Sequence, residues 1–462
     1  MNTTDTIAAI ATPPGQGGVG IVRVSGSPST PLRAGNVWKI ADAIFQSSEL
    51  PSQAKGGTFL HGKVIDAGGD EIDEALCLIF RAPKSYTGED TIEIQGHGGP
   101  VVLKKILRRC LEAGARMAEP GEFTKRAFLN GKMDLVQAEA VADLIHAQSD
   151  RAAQAALEQL EGGLSKQFNA LYDGLMGTAA DIETTLDFVE DELPGDVFPT
   201  LGKKLDECFQ GLETLLRTWD EGRLLREGAR VVVMGRPNAG KSTLFNTLLG
   251  HDRAIVTELP GTTRDVLEET FVLDGVPLRI LDTAGLRETE CLIEQEGIRR
   301  ARAHSAAADI ALYLIDSSLP FSDEDDEHLA RLNSTRTVVV LNKTDRKHSG
   351  FKFQVSGFQL LEISLINGAG IYELKAAISK KLGGISNAPA HAVISERHRD
   401  LLETARVELE QAREQLADGG ELGAAPAAEH LRAALEVLGQ VTGRVYHNEL
   451  LDNIFSRFCI GK

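Results

Sequence analysis

Three short stretches carry the residue types that nucleotide chemistry needs. GRPNAGKS, residues 235–242, fits the pattern G-x-x-x-x-G-K-[ST] and follows the apolar run RVVVM. Its glycines let backbone N–H groups approach phosphates, Lys241 brings positive charge to the β/γ-phosphates, and Ser242 offers a hydroxyl to Mg²⁺. DTAG, residues 282–285, places Asp282 where it can hold the Mg²⁺ water shell and Gly285 where a backbone N–H can meet a γ-phosphate. NKTD, residues 342–345, ends the apolar run TVVVL. The carboxylate of Asp345 can accept from both N1–H and N2–H₂ of guanine, a donor pair adenine lacks, so the motif selects GTP over ATP.

Two features of this set leave questions open. Leu286 follows DTAG where Ras-type GTPases carry the glutamine that orients the attacking water. Either hydrolysis is poor or the water is managed from elsewhere. GTTRD, residues 261–265, lies between the first two motifs. A threonine there can complete Mg²⁺ coordination when the loop closes; its plainer reading is a polar turn.

These motifs need a sheet with covering helices. From Gly228 the chain alternates strand-like runs (RVVVMG, LRILDTAG, IALYLID, TVVVLNKTD) with helical stretches, which predicts a mainly parallel sheet. Before it, residues 1 to about 132 read as a small α+β domain, with strands in TIAAIA, VGIVRVSG, TFLHGKVID, ALCLIFRAP and DTIEIQGHGG and a helix in VVLKKILRRCLEAGA. Helical spacing then governs Leu157, Leu160 and Leu164; Phe168, Leu171 and Leu175; and Leu201, Leu205, Cys208, Leu212 and Leu215. It resumes after residue 385 in Leu402, Ala405, Leu409, Ala412 and Leu416, then Leu431, Leu435 and Leu438. The fold class expected is multidomain: an α+β N-terminal domain (1–132), an all-α helical domain in two parts (133–228 and 385–462) and an inserted α/β P-loop, Ras-like G domain (229–384). Two separate helical domains remain the alternative.

The chain of 462 residues has a formal net charge of −18, which argues against broad nonspecific nucleic-acid binding and confines any RNA contact to a local surface. Its five cysteines have no metal-ligand spacing and read as reduced thiols of a cytoplasmic protein. No apolar run is long enough to span a bilayer and MNTTDTIAAI lacks the features of a secretory signal, so no membrane partner is expected.

GRPNAGKST, AIVTELPGTTRD, DTAGLR, NKTD, the terminal FCIGK, and the N-terminal segments TIAAIATPPGQGGVGIVRVSG, YTGEDTIEIQGHGG and PGEFTKRAFLNGKMDLVQAEAVADLI together resemble the MnmE (TrmE) family of tRNA-modifying GTPases. The likeness covers nearly the whole chain in order. It implies a homodimer held by a tetrahydrofolate-binding N-terminal domain, and a FAD-dependent partner, MnmG. With that partner such a protein takes part in 5-aminomethyl-type (carboxymethylaminomethyl) modification of the wobble uridine of certain tRNAs. A 5-formyl- or 5,10-methylene-tetrahydrofolate supplies the one-carbon unit.

The resemblance also implies site residues. Arg23, Glu93, Lys132 and Lys462 match folate-binding positions, and Cys459 is a candidate thiol in the CIGK tail. GTP or GDP is expected on Asn238, Ala239, Gly240, Lys241, Ser242, Thr243, Thr257, Glu258, Leu259, Pro260, Gly261, Thr262, Thr263, Asp282, Thr283, Ala284, Gly285, Asn342, Lys343, Asp345 and Ser364. Mg²⁺ falls to Ser242 and Thr263, and K⁺ to Asn238, Thr257, Leu259 and Thr262. Glu294 matches the catalytic glutamate that orients water, beside Lys241 and Asp282. Leu365 and Ile366 follow Ser364 where the family often has Ala-Lys. The rival functions are a GTP-dependent switch in ribosome assembly and a GTP-binding scaffold without turnover.

Overall fold

The structure is a computed structural model and describes residues 5–28, 36–186, 196–251, 269–281, 308–346, 348, 357–383 and 393–462. Its contacts divide the chain into two units: residues 1–142 with 165–202 and 408–462, and residues 143–164 with 203–407.

The first unit begins with the elements β1 (Thr6–Ile10), β2 (Gly17–Gly26), α1 (Val37–Ile44), β3 (Phe45–Ser47), β4 (Thr58–Ile65), β5 (Glu71–Phe80), β6 (Asp90–Gly98), α2 (Pro100–Glu112), β7 (Arg116–Met117) and α3 (Glu122–Leu129). The sheet order is β3-β4-β5-β6-β2-β1-β7, antiparallel except for β1 with β7. Strand alternation turns Val22, Val24, Cys77, Ile79, Ile92 and Ile94 to one face, where α1 and α2 bury them. The opposite face receives Arg23 and Glu93, which are direct register partners on β2 and β6. Helix α2 starts with Pro100 after Gly99, a position where the missing N–H costs nothing and the fixed φ suits the first turn.

Five helices follow: α4 (Leu135–His146), α5 (Asp150–Leu160), α6 (Gly163–Leu186), α7 (Val197–Leu216) and α8 (Trp219–Glu227). Phe168, Leu171, Leu175, Leu201, Leu205, Leu212 and Leu215 are buried as their spacing predicts. The stripe Leu157–Leu160–Leu164 is not one helix face. The chain breaks at Gly162, where φ is +86°, and Leu157 is 47% exposed.

The second unit contains β8 (Ala229–Gly235), α9 (Lys241–His251), β9 (Glu269–Leu273), β10 (Val276–Leu281), β11 (Ile310–Asp316), α10 (Asp323–Leu329), β12 (Thr337–Asn342), β13 (Gln359–Glu362) and α11 (Ile371–Lys381). Its sheet runs β13-β12-β11-β8-β10-β9, and only the β9–β10 hairpin is antiparallel. This is the expected parallel sheet of a Ras-like G domain, its strands buried on both faces.

The chain closes with α12 (Glu396–Gly419), α13 (Glu421–Thr442) and α14 (Asn448–Phe455). Helical segments from either side of the G domain meet within each unit. Arg432 and Arg444 donate to Glu183 and Asp173 in the first, and Arg226 donates to the carbonyls of Val393 and Ile394 in the second. The G domain is therefore an insertion between segments that pack on each other. Among the described residues, no helix is long and apolar enough to cross a membrane.

One buried cation organises the N-terminal domain. Helix α3 carries the charged side chains of Glu122, Lys125 and Arg126, yet every residue from Glu122 to Phe128 is buried. Arg126, 4% exposed, donates to the carbonyl (2.9 Å) and carboxylate (2.6 Å) of Asp5, to Glu122 (2.9 Å) and to Glu89 (3.3 Å). Burial pushes the Glu89 carboxyl up despite Arg126 and Ser25, which pull the other way. Burial also acts on Glu122, but hydrogen bonds from Arg116, the Glu119 amide and Arg126 hold it below its ordinary value. Asp5 is likewise held low by Arg116 and Arg126 against the effect of burial.

Depressed carboxylates stabilise the fold above their unfolded pKa and lose that contribution as pH falls through the folded value. Arg126→Met removes the cation, leaving buried Glu89 without a counter-charge and Asp5 and Glu122 with Arg116 alone. Breaking a buried pair costs about 3–5 kcal/mol. Urea denaturation followed through Trp38, in a Trp219→Phe background, should show that deficit at pH 7. The deficit should narrow towards pH 4 as the stranded groups take up protons.

Candidate functional site

Strand β8 delivers the phosphate loop against β11. At Gly235, where φ is +134°, a Cβ would lie 2.2 Å from the carbonyl oxygen of Leu314, so only glycine fits. Asn238 is left-handed at φ +63°. Gly240 also allows a close approach: a Cβ there would lie 2.3 Å from Nδ2 of Asn342. Helix α9 then begins at Lys241 with its N-terminus facing the loop, the arrangement that receives phosphate. Lys241 Nζ donates to the carbonyls of Gly235 (2.8 Å) and Arg236 (2.9 Å), and burial pushes its pKa down.

The NKTD segment is bolted to that loop. Asn342 is buried; its Nδ2 donates to the Ala239 carbonyl (2.8 Å) and its Oδ1 accepts from the Leu365 amide (3.4 Å). Lys343 Nζ donates to the Asn238 carbonyl (2.9 Å) and to Asp316 (2.6 Å). Asp345 accepts from the buried Ser364 hydroxyl through Oδ1 at 2.6 Å, which fixes the carboxylate's orientation. Its Oδ2 has only Arg346, 3.7 Å away. The departures at Leu365 and Ile366 leave this frame intact. Leu365 acts through its backbone N–H and packs on the sheet core, and the Ile366 side chain is exposed.

Ser242, Thr243 and Asn238 are exposed, and their side-chain oxygens face no protein donor among the described residues. A serine hydroxyl and an amide oxygen so placed fit Mg²⁺ and K⁺, which both take oxygen ligands. Thr257, Glu258, Leu259, Pro260, Gly261, Thr262, Thr263, Asp282, Thr283, Ala284, Gly285 and Glu294 lie outside the described residues, as does Leu286.

A second cluster forms in the N-terminal domain, where the two ends of the chain meet. Arg23 Nε donates to Glu93 Oε1 at 2.8 Å. The Arg23 guanidinium lies over the rings of Tyr86 (5.3 Å) and Phe123 (5.5 Å), and its Nη1 reaches the Gly461 carbonyl at 3.5 Å. The terminal CIGK packs against α3: Gly121 and Phe123 donate their amides to the carbonyls of Cys459 and Lys462. At Gly461, φ +100°, a Cβ would lie 2.4 Å from the Ile10 carbonyl oxygen. Burial, then the nearby Arg23, push the Lys462 pKa down. Arg23, Glu93 and Lys462 are thus brought together, and Cys459 is exposed in the same tail. Lys132 stands at the other end of the loop that carries Tyr86, donating to the Pro83 carbonyl at 3.1 Å.

Some residues of both sites were not anticipated. Tyr86 and Phe123 lie in YTGED and PGEF; the sequence signal was an aromatic inside each matching segment, but their stacking on Arg23 depends on tertiary contact. In the phosphate loop Arg236 reaches Glu324 (3.4 Å) and Asp325 (3.8 Å) of α10. Asp325 is buried and accepts from Tyr313.

Comparison with known proteins extends over the whole chain. The family model described as the MnmE helical domain matches residues 135–459, and that of the GTP-binding protein TrmE N-terminus matches residues 6–132. The chain is 43% identical to the tRNA modification GTPase MnmE of Geotalea uraniireducens over 466 residues, covering 100% of both chains. It is 43% identical to that of Geobacter metallireducens over 467 residues, again 100% of both. It is 40% identical to that of Aquifex aeolicus over 458 residues, 99% of this chain and 100% of the relative.

The guanine-reading role has a direct test. Asp345→Asn exchanges a charged acceptor for an amide. It should weaken GTP binding by roughly 1.5–3 kcal/mol, the cost of a lost charged hydrogen bond. Isothermal titration measures this, and unchanged affinity would remove Asp345 from the site.

Proposed function

The chain belongs to the MnmE family of tRNA modification GTPases, and from that membership we propose its full reaction. It hydrolyses GTP in the service of tRNA modification. The finer reading is a homodimer acting with the FAD-dependent MnmG in the cytoplasm. Together they install a carboxymethylaminomethyl-type group on C5 of the wobble uridine of certain tRNAs. The observation that carries this reading is identity of 43% over 466 residues, covering the whole of both chains.

A folate derivative would be held by Arg23, Glu93, Lys132 and Lys462, and it supplies the one-carbon unit. Arg23 and Lys462 bring charge suited to folate carboxylates. Glu93 uses Oε1 for Arg23 and keeps Oε2 for pterin N–H donors. Cys459 is a candidate thiol beside that group.

In the G domain, Ser242, Thr263 and Asp282 would serve Mg²⁺, and Asn238, Thr257, Leu259 and Thr262 would hold K⁺. The ions supply positive charge at the phosphates. Lys241 adds its own charge there, and Asp345 with Ser364 fixes the base. Glu294 orients the attacking water through its carboxylate, the task Leu286 cannot perform. The loop 257–263 completes its ligand set when two G domains meet, which makes turnover depend on dimerisation.

Two experiments test this reading. Mass spectrometry of wobble nucleosides, from cells deleted for the gene and complemented, should show the modified uridine restored by wild type and not by Arg23→Ala. The purified variant should bind 5-formyl-tetrahydrofolate at least about tenfold more weakly, the loss of one charged hydrogen bond. Wobble uridines unaffected by the deletion would refute the modification.

Single-turnover hydrolysis in KCl and in NaCl addresses the ions. Wild type should be fast only with K⁺, by about the 10³–10⁵-fold that an arginine finger gives elsewhere. Glu294→Ala should be slow in both salts with nearly unchanged nucleotide affinity. Equal wild-type rates in the two salts would remove K⁺, and a fully active Glu294→Ala would remove the glutamate.

A further inference from the structure

Most cations of the N-terminal domain are engaged. Arg23 pairs with Glu93, Lys63 with Glu71, Arg116 with Asp5 and Glu122, and Lys125 with Asp452. Arg81 and Arg109 donate to backbone carbonyls. Lys39, Lys55 and Lys84 are exposed and singly placed, whereas Lys104, Lys105 and Arg108 are exposed together, and among the described residues no carboxylate or carbonyl holds them. They occupy one face of α2. Leu103, Ile106, Leu107 and Cys110 fill the opposite, buried face.

The face is costly in isolation. Lys104 and Arg108 are like charges at i,i+4, as are Lys105 and Arg109, and such pairs destabilise a helix by about 0.2–0.5 kcal/mol each. The single acid of α2 is Glu112, beside Arg109. An ordinary solvated face would interleave acids, and this chain has them in excess. Residues 1–132 hold 15 Lys and Arg against 14 Asp and Glu, while the rest hold 34 against 53. The one surface run of unpaired cations among the described residues of α2 thus lies in the part of the chain that does not repel a polyanion.

The geometry suits a phosphate backbone better than a protein. From Val101 to Arg108 the track is about 10 Å long, enough to follow a short run of neighbouring phosphates. Gly99 caps α2 without a side chain, so the positive end of the helix is uncovered at the start of the track. Protein interfaces centre on apolar residues and are depleted in lysine, whereas here only Val101 is apolar and exposed. We propose that the outer face of α2, through Lys104, Lys105 and Arg108, is a docking track for the sugar-phosphate backbone of the tRNA substrate. This rests on the tRNA-modifying function of the family and adds where the RNA lies.

The test is anisotropy of an end-labelled tRNA transcript titrated with the full chain in KCl between about 50 and 200 mM. Each phosphate contact contributes about 0.7–0.9 to the slope of log affinity against log salt. Lys104→Ala/Lys105→Ala/Arg108→Ala should therefore flatten the slope by about 2–2.7, and weaken binding at least about tenfold at the lowest salt. Lys104→Arg/Lys105→Arg/Arg108→Lys should keep the wild-type slope, and Lys39→Ala/Lys55→Ala/Lys84→Ala should leave it unchanged. GTP hydrolysis should stay at the wild-type rate in all three, which reports intact folding. A wild-type slope in the alanine triple variant overturns the proposal. So does loss of a protein partner with tRNA binding intact, which would assign the face to an acidic protein. A wild-type chain that does not bind tRNA refutes instead the premise of direct tRNA contact.

Discussion

The guanidinium of Arg126 is the constraint on which the N-terminal site rests. Three carboxylates converge on it from β1's leading residue, the loop before β6 and the first turn of α3. Arg116 shares Asp5 and Glu122, but Glu89 has no other counter-charge among the described residues. Glu89, fixed by Arg126, also accepts from Ser25, whose hydroxyl meets Thr87. That chain of bonds orders residues 83–91, and with them Tyr86, on which Arg23 stacks. Tyr86 is tied in turn to Thr124 of α3 at 2.8 Å. The position of Arg23, two residues along β2 from Ser25, follows from charge pairing elsewhere as much as from its own pair with Glu93.

The same dependence brings in the far end of the chain. Because α3 is buried on all sides, its N-terminal amides have no water to bond. Phe123 satisfies its N–H on the carbonyl of Lys462, and the left-handed Gly121 before the helix does so on Cys459. The tail therefore completes a helix terminus, and the energetic reason it docks is the same reason Lys462 reaches Arg23. Burial first, and then the nearby Arg23 charge, push the Lys462 pKa down. An anion bound between the two cations would oppose that shift.

How much of this was legible in the sequence depended on range. The phosphate loop and NKTD are contiguous, with roles set by backbone conformation and by a few side chains, so their chemistry could be read directly. Their coupling could not, since Asn342 and Ala239 stand 103 residues apart. Alternation gave the sheet faces, and 3.6-residue spacing gave the helix cores, but periodicity misjudged one place. It joined Leu157 to Leu164 across the turn at Gly162. The burial of Glu122, Lys125 and Arg126 on α3 was not legible at all, since charged side chains are ordinarily exposed and the partners of Arg126 lie up to 121 residues away. The residues proposed for folate came from resemblance alone, since Arg23, Glu93 and Lys462 are ordinary surface charges by type. The segments around DTAG and GTTRD, with Glu294, lie outside the described residues.

The two sites use charge in opposite ways. Arg23 arrives already paired with Glu93, so a ligand there gains by adding hydrogen bonds to a compensated pair. Lys241 is different. Its ammonium is half-buried and, among the described residues, is held by two carbonyl dipoles, and burial pushes its pKa down. A phosphate would supply the full negative charge those carbonyls approximate, offsetting the penalty that burial places on the ammonium. The carbonyls of Gly235 and Arg236 hold Lys241 over the loop meanwhile. The rigid attachment of that loop through Asn342 and Lys343 means that the penalty is not relaxed by the loop opening.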